Sequence, residues 1–239
     1  MPGPALDPEA GRQLLHERLT TAPLRVVAGA GLHEQAARLG PAVLDDPEGL
    51  ARLRGRVLEA CLGPVLPALA ERSAVVLGCD VRGRDLAAAL GRLGLSVALW
   101  DRDPTLARAV AEPLGARVLD TPWIEAEVGL LVPCEAEPVI DRAAAERLAA
   151  SVVCGGAPRV FDGPEARAVL EARERRFVPE LLAALAEPLA LAVAAGLLDE
   201  DEAVARIEDT AREVLATPRG AHERAVTLAV ARSKAAGAL

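Results

Sequence analysis

The sequence predicts an α/β fold with a doubly wound parallel sheet, a short N-terminal α/β extension and C-terminal helices. Short apolar runs alternate with helical segments between Ser73 and Pro179, as in parallel strands that are joined by crossover helices. A glycine turn follows the first apolar run and precedes a helix. After Pro179 the chain shows only helical periodicity. These three features indicate a Rossmann-like domain that is followed by a helical segment.

Residues 1–70 are predicted to be a truncated N-terminal region, too short to form a complete domain. A helix is expected to begin at Asp7-Pro8-Glu9, because an N-cap residue precedes proline at the first helical position. Residues 24–28 read as a short strand that Gly29 ends. A second helix begins at Asp46, and Pro64 kinks or ends it.

Residues 71–180 are predicted to form the Rossmann-like domain. Its apolar runs are short and continuous, which is typical of strands buried on both faces. They fall at 74–77, 96–100, 116–118, 128–132 and 151–154, with helices at 86–93, at 104–114 and from about residue 141.

Residues 181–239 are predicted to form a helical segment that packs back on the N-terminal region. Helices are expected at about 180–195, 200–215 and 222–235. The first of them is apolar nearly all round, which predicts burial within the fold or in a homodimer interface.

Composition excludes several classes of function. The 239 residues are 51% hydrophobic and carry a net charge of −8, so no basic surface for nucleic acid or an anionic membrane is expected. No apolar run is long enough to span a bilayer, and the N-terminus lacks the pattern of a signal peptide. The four cysteines lie far apart, mostly in apolar segments, which favours reduced core cysteines in a cytoplasmic protein over a metal site.

The glycine turn has the spacing of a dinucleotide-binding fingerprint with one substitution. It reads Gly78-Cys79-Asp80-Val81-Arg82-Gly83, so Asp80 replaces the middle glycine. That glycine normally lets a pyrophosphate approach bare backbone. A carboxylate at about 4 Å from a phosphate charge costs about 1 to 4 kcal/mol, depending on the local dielectric. Arg82 or Arg84 would offset this cost if its side chain turned inward.

Asp101 ends the second apolar run, about twenty residues after the turn. An acid at this position accepts hydrogen bonds from ribose hydroxyls and repels a 2′-phosphate, which favours NAD over NADP. The adjacent Arg102 weakens that preference, so NADP stays open. Any doubly wound domain needs glycine at this turn, so the motif alone does not decide that a cofactor binds.

Three segments resemble the leucine, phenylalanine, valine and glutamate dehydrogenases. These are Leu130-Leu131-Val132-Pro133-Cys134, Val152-Val153-Cys154-Gly155-Gly156-Ala157 and Arg176-Phe177-Val178-Pro179-Glu180. Their order and spacing agree with that family over roughly half the chain. The resemblance implies the family's nucleotide-binding domain, with Gly78, Gly83 and Asp101 at the adenosine and pyrophosphate end. It also implies that Pro133, Cys134 and Ala157 lie along the path to the nicotinamide.

The departures from that family affect the sites of both cofactor and substrate. Residues 1–70 contain no lysine, whereas the family has a catalytic lysine and a carboxylate-binding lysine there; the only lysine of the chain is Lys234. Where the family has paired asparagines after Ala157, this chain has Pro158-Arg159. The family's Asn-Ala-Gly-Gly becomes Ala184-Leu185-Ala186-Glu187. Oxidative deamination of an ordinary amino acid is therefore not expected.

Candidate catalytic groups are few. Glu135 and Glu137 stand where a nicotinamide ring would lie, either as an acid pair or as a solvated loop. His33 follows a predicted strand and glycine turn and is the best placed of the three histidines for acid–base chemistry. Cys134 is either a reactive thiol or, more in keeping with its apolar segment, a buried core residue. No metal site is predicted.

Two functions therefore stand as hypotheses. The first, slightly favoured by fold and fingerprint, is an NAD(P)-dependent oxidoreductase acting on an amine, imine or related small substrate. The second is a catalytically inactive relative that serves as a binding module, sensor or partner subunit. Under either hypothesis we expect the protein to bind a small-molecule ligand and to form a homodimer. Side chains that fill the pyrophosphate position would favour the second hypothesis.

Overall fold

A computed structural model describes residues 46–194 and 198–235 and confirms the doubly wound sheet. Its six strands are all parallel and follow the order β3-β2-β1-β4-β5-β6, so the topology reverses between β1 and β4. The strands are β1 (Ser73–Leu77), β2 (Ser96–Trp100), β3 (Arg117–Val118), β4 (Leu130–Pro133), β5 (Val152–Cys154) and β6 (Arg176–Val178).

Nine α-helices lie in the described residues. They are α1 (Pro47–Leu62), α2 (Val81–Arg92), α3 (Pro104–Leu114), α4 (Arg142–Arg147), α5 (Pro164–Ala172), α6 (Glu180–Ala183), α7 (Ala186–Ala194), α8 (Glu200–Val214) and α9 (Ala221–Ala235). Short 3₁₀ turns at Leu66–Ala68 and Trp123–Glu125 complete the regular structure of this part of the chain.

The sheet is buried on both faces because its central strands β1, β4 and β5 are apolar at every position except Ser73. Val76 lies in register with Leu99 of β2 and Val132 of β4, and all three belong to the cluster that packs under α1, α2 and the C-terminal helices. The alternate residues Val75 and Leu77 face the opposite cluster, which α4 and α5 cover. Successive strand residues point to opposite faces, so one continuous apolar run supplies both cores.

Aspartate begins five of the described helices. The side chains of Asp46, Asp80, Asp103, Asp141 and Asp199 each accept a hydrogen bond from a backbone amide in the first turn that follows. These amides have no partner within the helix, so each carboxylate satisfies a donor that would otherwise need water. The start of each element is thus encoded locally.

Two helix predictions were wrong. Helix α2 begins at Val81 rather than at 86, because Asp80 caps it immediately after the turn. The helix predicted at 180–195 is divided into α6 and α7. Pro188 lacks an amide proton, and in a continuous helix its ring would clash with the carbonyl of Ala184, so the chain leaves the helix at Ala184 and Leu185.

The predictions for the helix at Asp7, the strand at 24–28 and the histidine at position 33 lie outside the described residues.

Helices α7 and α8 pack against α1. The boundaries of the three predicted segments, 1–70, 71–180 and 181–239, stay predictions. Among the described helices, none is both long and apolar enough to cross a membrane.

Candidate functional site

The candidate site is the space at the carboxyl ends of β1, β2 and β4, between the turn 78–83 and Glu135, which we call the crevice. Gly78 ends β1 with φ of +92°, a conformation that side chains other than glycine rarely adopt. A Cβ on Gly78 would also lie 3.0 Å from the Glu135 backbone nitrogen. Glycine is therefore required at this position by both backbone conformation and space.

Gly83 brings the first turn of α2 against the end of β1. A Cβ at Gly83 would lie 1.8 Å from the carbonyl oxygen of Gly78, well inside van der Waals contact. Only glycine allows this close packing of helix on strand. The first and last glycines of the turn are therefore both required by the close approach of backbone to backbone.

Asp101 is fixed at the end of β2, facing the turn. Its Oδ2 accepts a hydrogen bond from the Cys79 amide at 2.7 Å, and its Oδ1 accepts one from the Asp103 amide at 2.8 Å. Each carboxylate oxygen can accept a further hydrogen bond, so the group is positioned to receive hydroxyls. Arg102, the next residue, is exposed to solvent.

Asp80 directs its carboxylate to the N-terminus of α2. Its Oδ1 accepts a hydrogen bond from the Gly83 amide at 2.9 Å. The amides and dipole of a helix N-terminus form the site where these folds hold a phosphate. In this chain, a side-chain carboxylate takes one of those donors and places a negative charge there. The neighbouring Val81 is 55% exposed and adds an apolar side chain at the same helix end.

Glu135 brings a third carboxylate to the crevice. Its Oε1 is buried and has no hydrogen-bond partner among the described residues. Burial raises the pKa of Glu135, as do the charges of Asp101 and Asp80, while Arg102 lowers it. Burial likewise raises the pKa of the Cys79 thiol to about 12, and the same three carboxylates add to that rise. Three carboxylates therefore contribute negative charge to the crevice, and Arg102 partly offsets it at Glu135.

In the described structure neither arginine of the turn is bonded to Asp80, although Arg82 lies close enough for its charge and that of Asp80 to interact. Arg82 binds Glu187 of α7, with Nη2 2.7 Å from Oε1. Arg84 binds Asp85 within the same helix at 3.0 Å. Arg54 of α1 also reaches both acids, at 3.1 Å from Glu187 and 2.6 Å from Asp85. An ion-pair cluster of these five residues, the α1–α2–α7 cluster, thus connects the first turn of α2 to α7 and α1.

The predicted nicotinamide path is closely packed. Pro133 ends β4 in register with Leu77, and Cys134 and Ala157 are buried. A Cβ on Gly156 would lie 2.7 Å from the Cys134 sulfur. Burial raises the pKa of Cys134, so its thiol stays protonated and unreactive.

Glu137 does not join Glu135. Its side chain is exposed, and its Oε2 lies 3.5 Å from Nη2 of Arg159. Glu137 therefore forms a solvated surface ion pair and not a catalytic acid pair with Glu135. His33 lies outside the described residues. Of the three candidate catalytic residues, only Glu135 therefore lies at the crevice in the described part of the chain.

Sequence reasoning missed a second group of buried polar atoms. Glu180 begins α6 and His222 lies in the first turn of α9, and their Oε1 and Nδ1 atoms are 4.0 Å apart. Glu180 Oε2 and His222 Nδ1 are buried without a hydrogen-bond partner in the described structure. Nothing in the sequence placed His222 beside Glu180, because the two residues are 42 positions apart and meet only through the tertiary fold.

The residues of the crevice fit the ribose of a dinucleotide and do not fit its pyrophosphate. Gly78, Gly83 and Asp101 have the geometry that an adenosine end requires. At the pyrophosphate position, Asp80 occupies a helix amide, and the hydrogen bonds of Arg82 and Arg84 go to Glu187 and Asp85. A cofactor with a Kd between about 1 μM and 1 mM is bound by only about 4 to 8 kcal/mol. A carboxylate at about 4 Å from a phosphate charge opposes binding by about 1 to 4 kcal/mol, so the charge of Asp80 removes part of that energy.

Comparison with solved structures places this fold among the amino-acid dehydrogenases. L-tryptophan dehydrogenase from Nostoc punctiforme aligns with a TM-score of 0.67 at 18% identity, over 79% of this chain and 59% of that one. Hetero-hexameric glutamate dehydrogenase from Thermus thermophilus, in a leucine-bound form, aligns with a TM-score of 0.56 at 23% identity, over 78% and 52%. Glutamate dehydrogenase from Plasmodium falciparum aligns with a TM-score of 0.54 at 15% identity, over 79% and 51%.

These matches confirm, at the level of the fold, the resemblance that the sequence suggested. The chain spans between about half and three-fifths of the length of these dehydrogenases. No protein-family model matches the sequence, and no curated protein matches it.

Proposed function

We propose that this dehydrogenase-like chain is a catalytically inactive binding module whose crevice does not hold a dinucleotide. The observation that carries the proposal is the hydrogen bond between the Asp80 carboxylate and the Gly83 amide. It places a fixed negative charge on the donor group that a pyrophosphate would need. The chain has the fold of the dehydrogenases, but a negatively charged side chain lies where that fold offers amide donors to a phosphate.

The α1–α2–α7 cluster supports the same proposal. Arg82 is the cation nearest in sequence to the pyrophosphate position, and it binds Glu187 with both Nε and Nη2. Releasing it toward a phosphate would leave Glu187, which is half-buried, with fewer of its cationic contacts. Recruitment of Arg82 to a ligand therefore costs free energy.

The test is a fluorescence titration of NADH and NADPH against the wild type and two variants. We expect no saturable change with the wild type at millimolar cofactor. Asp80→Gly restores the bare backbone and removes the charge, so it should gain affinity for NADH. Asp80→Asn keeps a cap but removes the charge, so it separates electrostatic repulsion from occupation of the amide. Saturable micromolar binding by the wild type would contradict the proposal.

The second candidate is an NAD(P)-dependent oxidoreductase acting on an amine, imine or related substrate. One observation favours it, because Asp101 is held by two backbone amides at the position that receives ribose hydroxyls. The likeness to amino-acid dehydrogenases supports a nicotinamide cofactor, and Asp101 favours NAD over NADP. The NAD assignment, the small-molecule substrate and the homodimer stay predictions.

This candidate predicts saturable NADH binding that Asp101→Ala abolishes and that Asp103→Asn does not. Asp103 is a suitable control because it receives no predicted ligand contact, and asparagine preserves its cap on α3. Binding alone is not sufficient. Reduction of an imine, followed through loss of NADH absorbance, must also disappear in Asp101→Ala for the oxidoreductase assignment to hold.

A further inference from the structure

A cavity of about 410 Å³ lies between the C-terminal helices, apart from the crevice. In the described part of the chain its walls come from α6, α7, α8 and α9, together with Leu185 and Leu198, which lie between these helices. They are mainly apolar, as Leu182, Leu185, Leu189, Ile207 and Leu228 illustrate. Binding sites for small molecules have about this size, with mostly apolar walls and few polar groups. The volume is large enough for a small organic molecule.

Polar groups converge at one part of this cavity. Arg232 donates from Nη1 to the Thr210 hydroxyl at 2.8 Å, and that hydroxyl donates to the Arg206 carbonyl at 2.7 Å. Both arginines and Thr210 line the cavity. Thr210 thus holds the Arg232 guanidinium at the cavity through a neutral partner, which leaves the positive charge in place.

The charges at the lining favour an anion. Arg206 is paired with Glu202 at 2.5 Å, and Asp209 is paired with Arg212 at 2.6 Å. Arg232 has a looser counter-ion, because its Nη2 lies 3.8 Å from Glu213. A guanidinium has five donors in a fork that matches a carboxylate, so Arg232 is the residue best suited to bind one.

We propose that this cavity binds a small amphipathic carboxylate, with its apolar body among the leucines and its carboxylate on Arg232. The apolar walls account for the body of the ligand, because burial of apolar surface drives binding. Arg232 accounts for the charge of its head group. This site is separate from the crevice. A test of cofactor binding in the crevice therefore neither supports nor contradicts it.

The experiment uses the full chain and n-octanoate, with n-octylammonium and n-octanol as ligands of matched length. Isothermal titration calorimetry should detect octanoate binding, weaker octanol binding and no octylammonium binding. Arg232→Gln should weaken octanoate binding by about tenfold, because it removes a charge-assisted hydrogen bond, and should leave octanol binding unchanged. Arg219→Gln, at an exposed arginine paired with Glu174, is the matched control and should leave both unchanged.

A second pair of variants tests the position of the ligand. Ala229 lines the cavity, so Ala229→Phe should fill part of it and abolish octanoate binding. Val230 is the next residue on α9 and is exposed, so Val230→Phe should bind as the wild type does. Circular dichroism and thermal unfolding show whether each variant folds. Equal binding of octanoate and octylammonium, no binding of octanoate, or binding that Ala229→Phe leaves unchanged in a folded protein would each overturn the proposal.

Discussion

Gly83 is the residue on which the close approach of α2 to β1 depends. We expect Gly83→Ala to destabilise the protein by several kcal/mol, because its Cβ would lie 1.8 Å from the Gly78 carbonyl oxygen and neither backbone can move freely. Urea unfolding followed by circular dichroism measures the loss.

Gly91 provides the matched control in the same helix. Apart from its two chain neighbours and the nearby backbone of its own helix, no atom lies within 4 Å of a Cβ built on Gly91. Gly91→Ala should therefore stabilise the protein by about 0.5 to 1 kcal/mol, since alanine has the higher helix propensity. Equal effects of the two substitutions would contradict the close packing described for Gly83.

Glu180 and His222 are expected to make stability depend on pH in opposite directions. Burial raises the pKa of Glu180, so the folded state retains its proton to higher pH, and stability falls as pH rises from the unfolded pKa through the folded one. Burial lowers the pKa of His222, with a further lowering by Arg167, so stability falls as pH drops from the unfolded pKa through the folded one.

Single variants separate the two effects. At pH 7.5, Glu180→Gln should increase the free energy of unfolding, because it removes a buried charge, and the increase should shrink toward pH 4. His222→Gln should have its most favourable effect below about pH 6, where wild-type His222 resists protonation. Urea unfolding of the wild type and both variants across pH 4 to 7.5 provides the comparison. Parallel pH profiles for all three proteins would show that neither group titrates differently in the folded state.

The residues of the crevice show how far local sequence carries a prediction. The glycines and Asp101 were identified because their roles depend on a contiguous turn and a strand end. The partner of Arg82 was not, because Glu187 lies 105 positions later and meets it only through the tertiary fold. The burial of the Glu135 Oε1 atom likewise depends on strand ends that are distant in sequence. The negative charges of the crevice could therefore be predicted from local sequence, whereas the partner of Arg82 could not.

At the scale of elements, Asp199 is expected to stabilise α8 through its cap. Its carboxylate accepts a hydrogen bond from the Glu202 amide at 3.0 Å. Asp199→Ala should cost about 1 kcal/mol, whereas Asp199→Asn should cost much less, because asparagine caps as well. The midpoint of urea unfolding measures both. A loss of equal size in the asparagine variant would point to charge rather than to the hydrogen bond.

Helices and strands were predictable where residues next to their ends determine where they begin and end. Strand β2 and helix α3 were predicted with the bounds that the structure has, since apolar runs and an Asp-Pro start define them. The sequence indicated a helix end near Glu171 but not the start of α5, because Gly163 precedes that helix without a side-chain cap. Strand β6 was found only through family resemblance, since three residues give little periodicity. Short elements depend on their neighbours for stability and leave a weak local pattern.

At the scale of the whole molecule, the α1–α2–α7 cluster should contribute far more than a surface ion pair. Asp85 is only 6% exposed and binds both Arg54 and Arg84. Asp85→Ala leaves the buried Arg54 guanidinium short of a partner, so we expect a loss of about 3 to 5 kcal/mol. Global unfolding in urea measures it, because the cluster joins three helices.

The control for this prediction is Glu146, which forms an exposed pair with Arg142 one turn away on α4. Glu146→Ala should change stability by no more than about 0.5 kcal/mol. A comparable loss in the two variants would mean that burial does not strengthen the cluster. The fold itself was predictable at this scale, because alternation of strand and helix fixes a parallel sheet.

The contacts of Arg54 and Arg82 with the same oxygen of Glu187 also bear on the dynamics of the molecule. A hinge at the crevice would have to separate α7 from α2 and α1 together, rather than swing one helix aside. Such an opening breaks several guanidinium contacts in a single event, so it should be infrequent and cooperative. Amides in the interiors of α2 and α7, which are hydrogen-bonded within their helices, should therefore exchange at matching rates, as they do when two segments open as one unit.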